Sequence, residues 1–244
     1  MARAVPDGYT ITLSTSAVHA TNPALYGLLP FDVIKDFSHI TLLASAPNML
    51  TVNPKVSVNN IAELIAYAKA NPGKLTYISA GSGTSPHMAG ELLKSMAGID
   101  IVHVPYKNIT QGFTDLIGGQ VAMTFYHVPV IYPFVKDGKL HALGVATRTR
   151  SALAPEVPPI ADTLPGYEIR PWWGVSGPAG LPAEVVDKLY SVTTSILTDA
   201  DTRQRFISIG LEISLMSVKE FNDFIATELT KWTKVVKESG AKVD

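Results

Sequence analysis

An α/β fold is what this sequence predicts, on three observations. Short β-rich runs alternate with helical periods as far as residue 146. Hydrophobic residues make up 46% of the 244-residue chain and charged residues 17%, the balance of a chain that folds around a core. Two amphipathic stretches then close the sequence.

Tyr9–Leu13 reads as a first strand, and Ile40–Val52 as a longer one broken near Pro47. The spacing predicts a helix over Asn60–Asn71. Asn60 can cap it with Glu63 three residues on, and Ile61, Leu64, Ile65 and Ala68 share one face. Pro72-Gly73 ends it, and Leu75–Ile78 is the next strand. A loop of small residues leads to a helix over Pro86–Ala97, with Gly98 past its end. Strands are expected at Ile101–Val104, Val121–Tyr126 and Leu140–Ala146, and a short helix over Thr110–Ile117. This strand–helix alternation predicts a mostly parallel sheet.

From residue 155 to 182 the texture changes. Pro155, Pro158, Pro159, Pro165, Pro171, Pro178 and Pro182 exclude long helices there. Helical periods return at Ala183–Thr198, with Val185, Val186, Leu189, Val192 and Ile196 expected inward. The last runs over Val218–Ser239, opened by the capping pair Ser217 and Glu220 and striped by Phe221, Phe224, Ile225, Leu229, Trp232, Val235 and Val236. Trp172-Trp173 could wall a pocket, but packing of an interlobe strand is the favoured reading. Only one strand precedes Asn22-Pro23, so the chain is expected to begin inside a domain.

Composition removes several functions. The net charge of -1 lacks the basic surplus that binding phosphate backbones needs, so no nucleic-acid partner is expected. The absence of cysteine excludes disulfides, thiolate metal sites and a cysteine nucleophile. No apolar run approaches the ~18 residues of a membrane span, and no direct insertion is expected. His19, His39, His87, His103, His127 and His141 show no metal-binding spacing, so neither a metal nor a cofactor is expected.

The richest segment is Ser79-Ala80-Gly81-Ser82-Gly83-Thr84-Ser85-Pro86-His87. A strand, small residues, then a helix with proline in its first turn is the geometry of an anion site. Small side chains let a ligand approach the backbone, and the first N–H groups of a helix point outward. A structural turn capped by Ser85 explains the segment equally well. The dinucleotide fingerprint fails, since Pro86 stands where glycine is needed, and a nucleophile elbow at Ser82 fails at Ala80 and Thr84. A hydrolase using Ser82 or Ser85 with His87 remains the alternative, although no orienting acid is evident. Thr15-Ser16-Ala17 follows the first strand in the same way, with Asn22-Pro23 as a turn beyond it. Two such loops at strand ends are expected to face one crevice.

Motifs in order along the chain carry a resemblance. They are Pro6-Asp7-Gly8-Tyr9-Thr10, His19-Ala20-Thr21-Asn22-Pro23, Pro72-Gly73-Lys74-Leu75-Thr76-Tyr77, Ser79–Thr84 with His87, His103-Val104-Pro105-Tyr106-Lys107 and Gly118-Gly119-Gln120-Val121. The sequence resembles the extracytoplasmic solute receptors of the tripartite tricarboxylate transporter family, the Bug receptors. That resemblance implies an α/β, periplasmic binding protein-like fold with two α/β lobes joined by two crossover strands. Residues 1–46 with 172–244 would form one lobe and 47–171 the other. It further implies a periplasmic, non-enzymatic protein that closes on a small organic carboxylate and delivers it to membrane permease subunits. On the matching motifs, the ligand-binding residues would be Thr15, Ser16, Ala17, Ser79, Gly81, Ser82, Gly83, Thr84, His87, Tyr106, Lys107, Tyr126 and His127. Family members carry a signal peptide, a strand and a glycine-rich loop ahead of the Pro-Asp-Gly-Tyr motif, so an incomplete site, and even a truncated nonfunctional receptor, is an expectation. Where relatives commonly read Met-Phe-Asp, this sequence has Thr124-Phe125-Tyr126, which disfavours an amino-acid ligand and suits an aromatic or uncharged part of an acid.

Overall fold

The computed structural model describes residues 1–243. In chain order the elements are β1 (Thr12–Thr15), a π-helical turn (Ala17–Thr21), α1 (Asn22–Tyr26), β2 (Phe37–Ser45), β3 (Asn48–Val52), α2 (Ile61–Ala70) and β4 (Thr76–Ser79). Then come α3 (Ser85–Ala97), β5 (Val102–Pro105), α4 (Ile109–Gly118), β6 (Met123–His127), α5 (Val128–Lys136) and β7 (His141–Val145). The chain closes with β8 (Trp172–Pro178), α6 (Ala183–Thr198), α7 (Ala200–Ser208), β9 (Glu212–Ile213) and α8 (Val218–Ser239). It divides into two compact units: Met1–Ala46 with Pro171–Lys234, and Pro47–Arg170 with the chain from Val235 on.

The first unit holds a four-stranded sheet in the order β1-β8-β2-β9, antiparallel throughout. Gly174 on β8 shows why α8 seats there: a Cβ at this position would lie 2.3 Å from Phe221 and 2.9 Å from the Thr41 carbonyl. Trp172 packs edge-on against Phe221 and Phe224, and both Trp172 and Trp232 donate their indole N–H to Glu228 Oε2, at 3.3 and 3.1 Å. Trp172 is thus core, with its one polar atom satisfied. The expected strand at Tyr9–Leu13 begins three residues later, because Asp7 accepts the Tyr9 N–H at 3.0 Å and holds a turn. Asn22-Pro23 opens α1 instead of turning, since proline in a first helical turn forfeits no hydrogen bond. Of the stripe expected on α6, Val192 and Ile196 are exposed, and Leu197 is the buried residue. β1 is a sheet edge, with Leu13 and the preceding Ile11 exposed.

The second unit holds a five-stranded sheet in the order β5-β4-β6-β3-β7. β4 is parallel to β5 and β6, while β3 runs antiparallel to both its neighbours, β6 and β7. The mostly parallel sheet expected from the sequence is therefore mixed in one unit and antiparallel in the other. β3 enters from β2 through Ala46-Pro47 with no crossover helix to reverse the chain, and it lies between the two strands that α5 connects. Under one face, Met49, Ile78, Phe113, Leu116, Val128 and Ile131 form a continuous apolar core. Gly98 ends α3 in the left-handed conformation (φ 60°). Asn60 caps α2, its side chain accepting the Glu63 N–H at 2.9 Å while Glu63 accepts from Asn60 Nδ2 at 2.7 Å. Asn60→Ala is expected to cost about 1 kcal/mol in urea melts, with no change at the candidate site.

Candidate functional site

Strand direction brings the candidate residues of the second unit to one edge of its sheet. β4, β5 and β6 end there with Ser79, Pro105 and His127, and antiparallel β3 starts there with Asn48. Ser79 pairs in register with Pro105, and Asn48 with His127. This is the edge at which open α/β sheets present loops to ligands.

The Ser79–His87 segment folds back on itself here. Gly81 and Gly83 take φ of 114° and 80°, conformations open to glycine at little cost. Ser79 Oγ accepts the Gly81 N–H and donates to the Gly81 carbonyl, both at 3.0 Å. Thr84 Oγ1 donates to the same carbonyl at 2.6 Å, so the Thr84 hydroxyl is spent inside the loop. α3 then begins with Pro86 in its first turn and with no side chain capping its start. The first-turn amides and the positive end of a 13-residue helix thus face the edge unscreened by a capping side chain.

Beneath the loop lies a polar stack of a buried His87 and a half-buried His103. His87 Nδ1 accepts the Gly83 N–H at 3.0 Å, and its ring stacks on His103 with centroids 4.0 Å apart. His103 Nε2 is 2.6 Å from Ser79 Oγ; with the serine proton directed to Gly81, the imidazole is the donor. Tyr77 lies against His103 and donates to Glu91 Oε1 at 2.8 Å, which Lys94 also reaches at 3.0 Å. His87 and Glu91 are each 2% exposed, so they hold the loop from below. His103, Glu91 and Asn48 were not among the expected site residues. The strand register Tyr77↔His103 brings the second histidine in, and only the folded sheet reveals it.

The other expected residues divide. His127 stands just ahead of α5 at the same edge without a capping hydrogen bond from its side chain, and burial lowers its pKa to about 4. Tyr126 points to the opposite face, edge-on to Phe113 at 4.9 Å, and burial raises its pKa. Tyr106 follows β5, but its hydroxyl donates to Asp115 at 2.7 Å; burial and that carboxylate push its pKa to about 12. Lys107 is exposed. In the first unit Thr15 ends β1, its Oγ1 accepts the Val18 N–H at 3.2 Å, and Ser16 and Ala17 open the helical run behind it. Among the described residues no group of three His, Asp or Glu side chains could hold a metal ion. A depression of about 480 Å³ beside Pro54, Asn59, Leu140 and His141 lies at the opposite edge of the second sheet, away from this chemistry.

Residues 1–241 match the profile of the tripartite tricarboxylate transporter family receptor. Protein BugT of Bordetella pertussis is 30% identical over 244 residues, covering 99% of this chain and 75% of that protein. The structure of Rpa4515 from R. palustris with adipate superposes with a TM-score of 0.87 at 32% identity, over 99% of this chain and 81% of that one. MatC from Rhodopseudomonas palustris with bound malate gives 0.83 at 26% identity, over 96% and 81%. The matched family is one of transporter receptors, which removes the hydrolase reading of Ser82, Ser85 and His87; in the structure the His87 Nδ1 lone pair already serves the Gly83 amide. With its matching fold and sequence over nearly its whole length, the chain belongs to the tripartite tricarboxylate transporter family of solute-binding receptors, and is not an enzyme.

Proposed function

We propose that this receptor captures a small organic carboxylate, of the dicarboxylate size seen with its relatives, and hands it to the permease subunits of a tripartite transporter from the periplasm. The observation that carries this reading is the Ser79–His87 loop. It offers an uncapped helix start and glycine-lined backbone at a strand-end edge, with two stacked imidazoles, one buried and one half-buried, fixing its shape. Such a site holds an anion by directed amides, without a cation at its centre. Adipate and malate in the related structures support the same ligand class. Ser82, the first-turn amides of α3 and His127 are what we assign to the anion in the second unit, with Ser79, Gly81, Gly83 and Thr84 shaping the loop through their hydrogen bonds to one another and to His87; Thr15, Ser16 and Ala17 remain candidates within the first unit.

The energetics set how much contact is needed. Micromolar affinity corresponds to about 8 kcal/mol. Hydrogen bonds to a charged group supply about 1.5–3 kcal/mol each, against several kcal/mol for lost freedom on association. A handful of amide contacts to each carboxylate therefore suffices, and a monocarboxylate of the same length should bind at least tenfold more weakly. Titration calorimetry with adipate, malate, citrate, benzoate and hexanoate tests this. Heat with a dicarboxylate and little with hexanoate is expected; no heat with any acid rejects the reading.

A further inference from the structure

We infer that Asn48 is a solute-contacting residue, its carboxamide donating to a carboxylate oxygen of the bound acid. The inference rests on the carboxylate reading above and extends it to a side chain outside the Gly/Ser/Thr loop. Asn48 is fully buried, and neither its Nδ2 nor its Oδ1 has a hydrogen-bond partner among the described residues. Its backbone, by contrast, is occupied, the carbonyl accepting the Ala146 N–H at 2.8 Å.

A second asparagine at the other end of the same segment shows what the fold does with a structural carboxamide. Asn53, 3% exposed, donates Nδ2 to the Leu116 and Ile117 carbonyls at 2.8 and 3.0 Å, and its Oδ1 accepts the Lys55 N–H at 2.8 Å. Every polar group of Asn53 is paired by this chain, and none of Asn48's side-chain groups is. A buried carboxamide left without partners is costly, so native structures supply one from chain, solvent or ligand. Here the chain supplies none.

The position of Asn48 says which partner comes. It is the residue of β3 at the edge where Ser79 and His127 end their strands, and it stands directly across from His127 in the ladder. Residues paired across a ladder project to the same face. Asn48 and His127 therefore set two polar side chains side by side on the face that also carries Ser79. A carboxamide there donates to a carboxylate without adding charge, and it demands an oxygen at one fixed place, which makes it a determinant of acid length.

Asn48→Leu keeps the volume and removes the polar atoms; Asn53→Leu is the structural control. Thermal melts of each protein are run without ligand and with adipate or malate. Without ligand, Asn48→Leu should melt at or above the wild-type temperature, because an unpaired group has been removed, while Asn53→Leu should melt several degrees lower. With the acid, the wild type and Asn53→Leu should shift upward, and Asn48→Leu should bind at least tenfold more weakly. Asn48→Asp should bind more weakly still at pH 7, where it sets like charges together. A wild-type shift retained in full by Asn48→Leu overturns the inference while leaving the carboxylate reading intact. A lower unliganded melt for Asn48→Leu, with binding preserved, assigns the carboxamide to the fold and also overturns it. A wild type that shifts with no acid overturns the functional reading itself, and with it this extension.

Discussion

Between pH 6.5 and pH 4 the protein is expected to lose on the order of 6 kcal/mol of folding stability, through two histidines alone. Burial, then the neighbouring His39, lowers the His19 pKa to about 4, against an opposing backbone hydrogen bond at Thr15; burial alone lowers His127 to about 4. An unfolded histidine titrates near 6.5, so in this window the unfolded chain binds protons that the native state refuses. Stability is complete above pH 6.5 and falls as pH drops toward 4, by about 3 kcal/mol for each group. Burial lowers the pKa of His39 as well, so it adds in the same direction. Urea melts at pH 7.5, 6.0 and 5.0 read the slope before carboxylates begin to protonate. His19→Leu removes a charge-averse ring that packs against Phe37 and His39, and should flatten the slope. A wild-type melt independent of pH from 7.5 to 5 would show that neither ring is held neutral by the fold.

The second large effect is at Gly90. A Cβ there would lie 2.3 Å from the ring of Tyr77, which is itself fully buried and leans on His103. Gly90→Ala must push the tyrosine or the whole of α3, and overpacking of this kind costs about 1–3 kcal/mol. Because Tyr77 also anchors Glu91 below the loop, carboxylate affinity should fall along with stability, by tenfold or more. Gly138→Ala is the comparison: nothing lies within 4 Å of its added carbon, although its φ of 69° still carries strain. Denaturation and calorimetry on both variants separate a steric effect at Tyr77 from a general cost of replacing glycine. Equal behaviour of the two would rule out the Tyr77 contact as the cause.

Much of the architecture could be read before any coordinates. α6 and α8 carry apolar residues at helical spacing, and α8 also has the Ser217–Glu220 capping pair, whose hydrogen bonds are 2.8 and 3.3 Å. The Ser79–His87 loop announced itself by small residues followed by Pro86. α5 was missed because it holds two prolines; Pro129 sits in the first turn, where no N–H is needed, and Pro133 forfeits a single bond. α7 was missed because its residues are mostly polar, although Asp199 accepting the Thr202 N–H at 2.9 Å is a cap that spacing alone could have suggested. The direction of β3 is not legible in the sequence, since an antiparallel entry leaves no local mark in the residues. For the same reason the placement of His103 under the loop and of Asn48 across from His127 leaves no local mark: each is set by ladder register, a long-range property.

Trp172, Trp173 and Trp232 all fall in the first unit, whereas the second contains only tyrosine and phenylalanine as its aromatic chromophores. Indole fluorescence is therefore a one-sided reporter. It follows melting of the half that holds His19 and is nearly blind to the half that holds His127 and the Ser79–His87 loop. Tyr67, Tyr77, Tyr106, Tyr126, Tyr132 and Tyr167 lie in the other half against Tyr9, Tyr26 and Tyr190 in the first, so circular dichroism in the tyrosine band weights the other half more heavily. A difference between the two traces during acidification would resolve the halves optically, with no label attached.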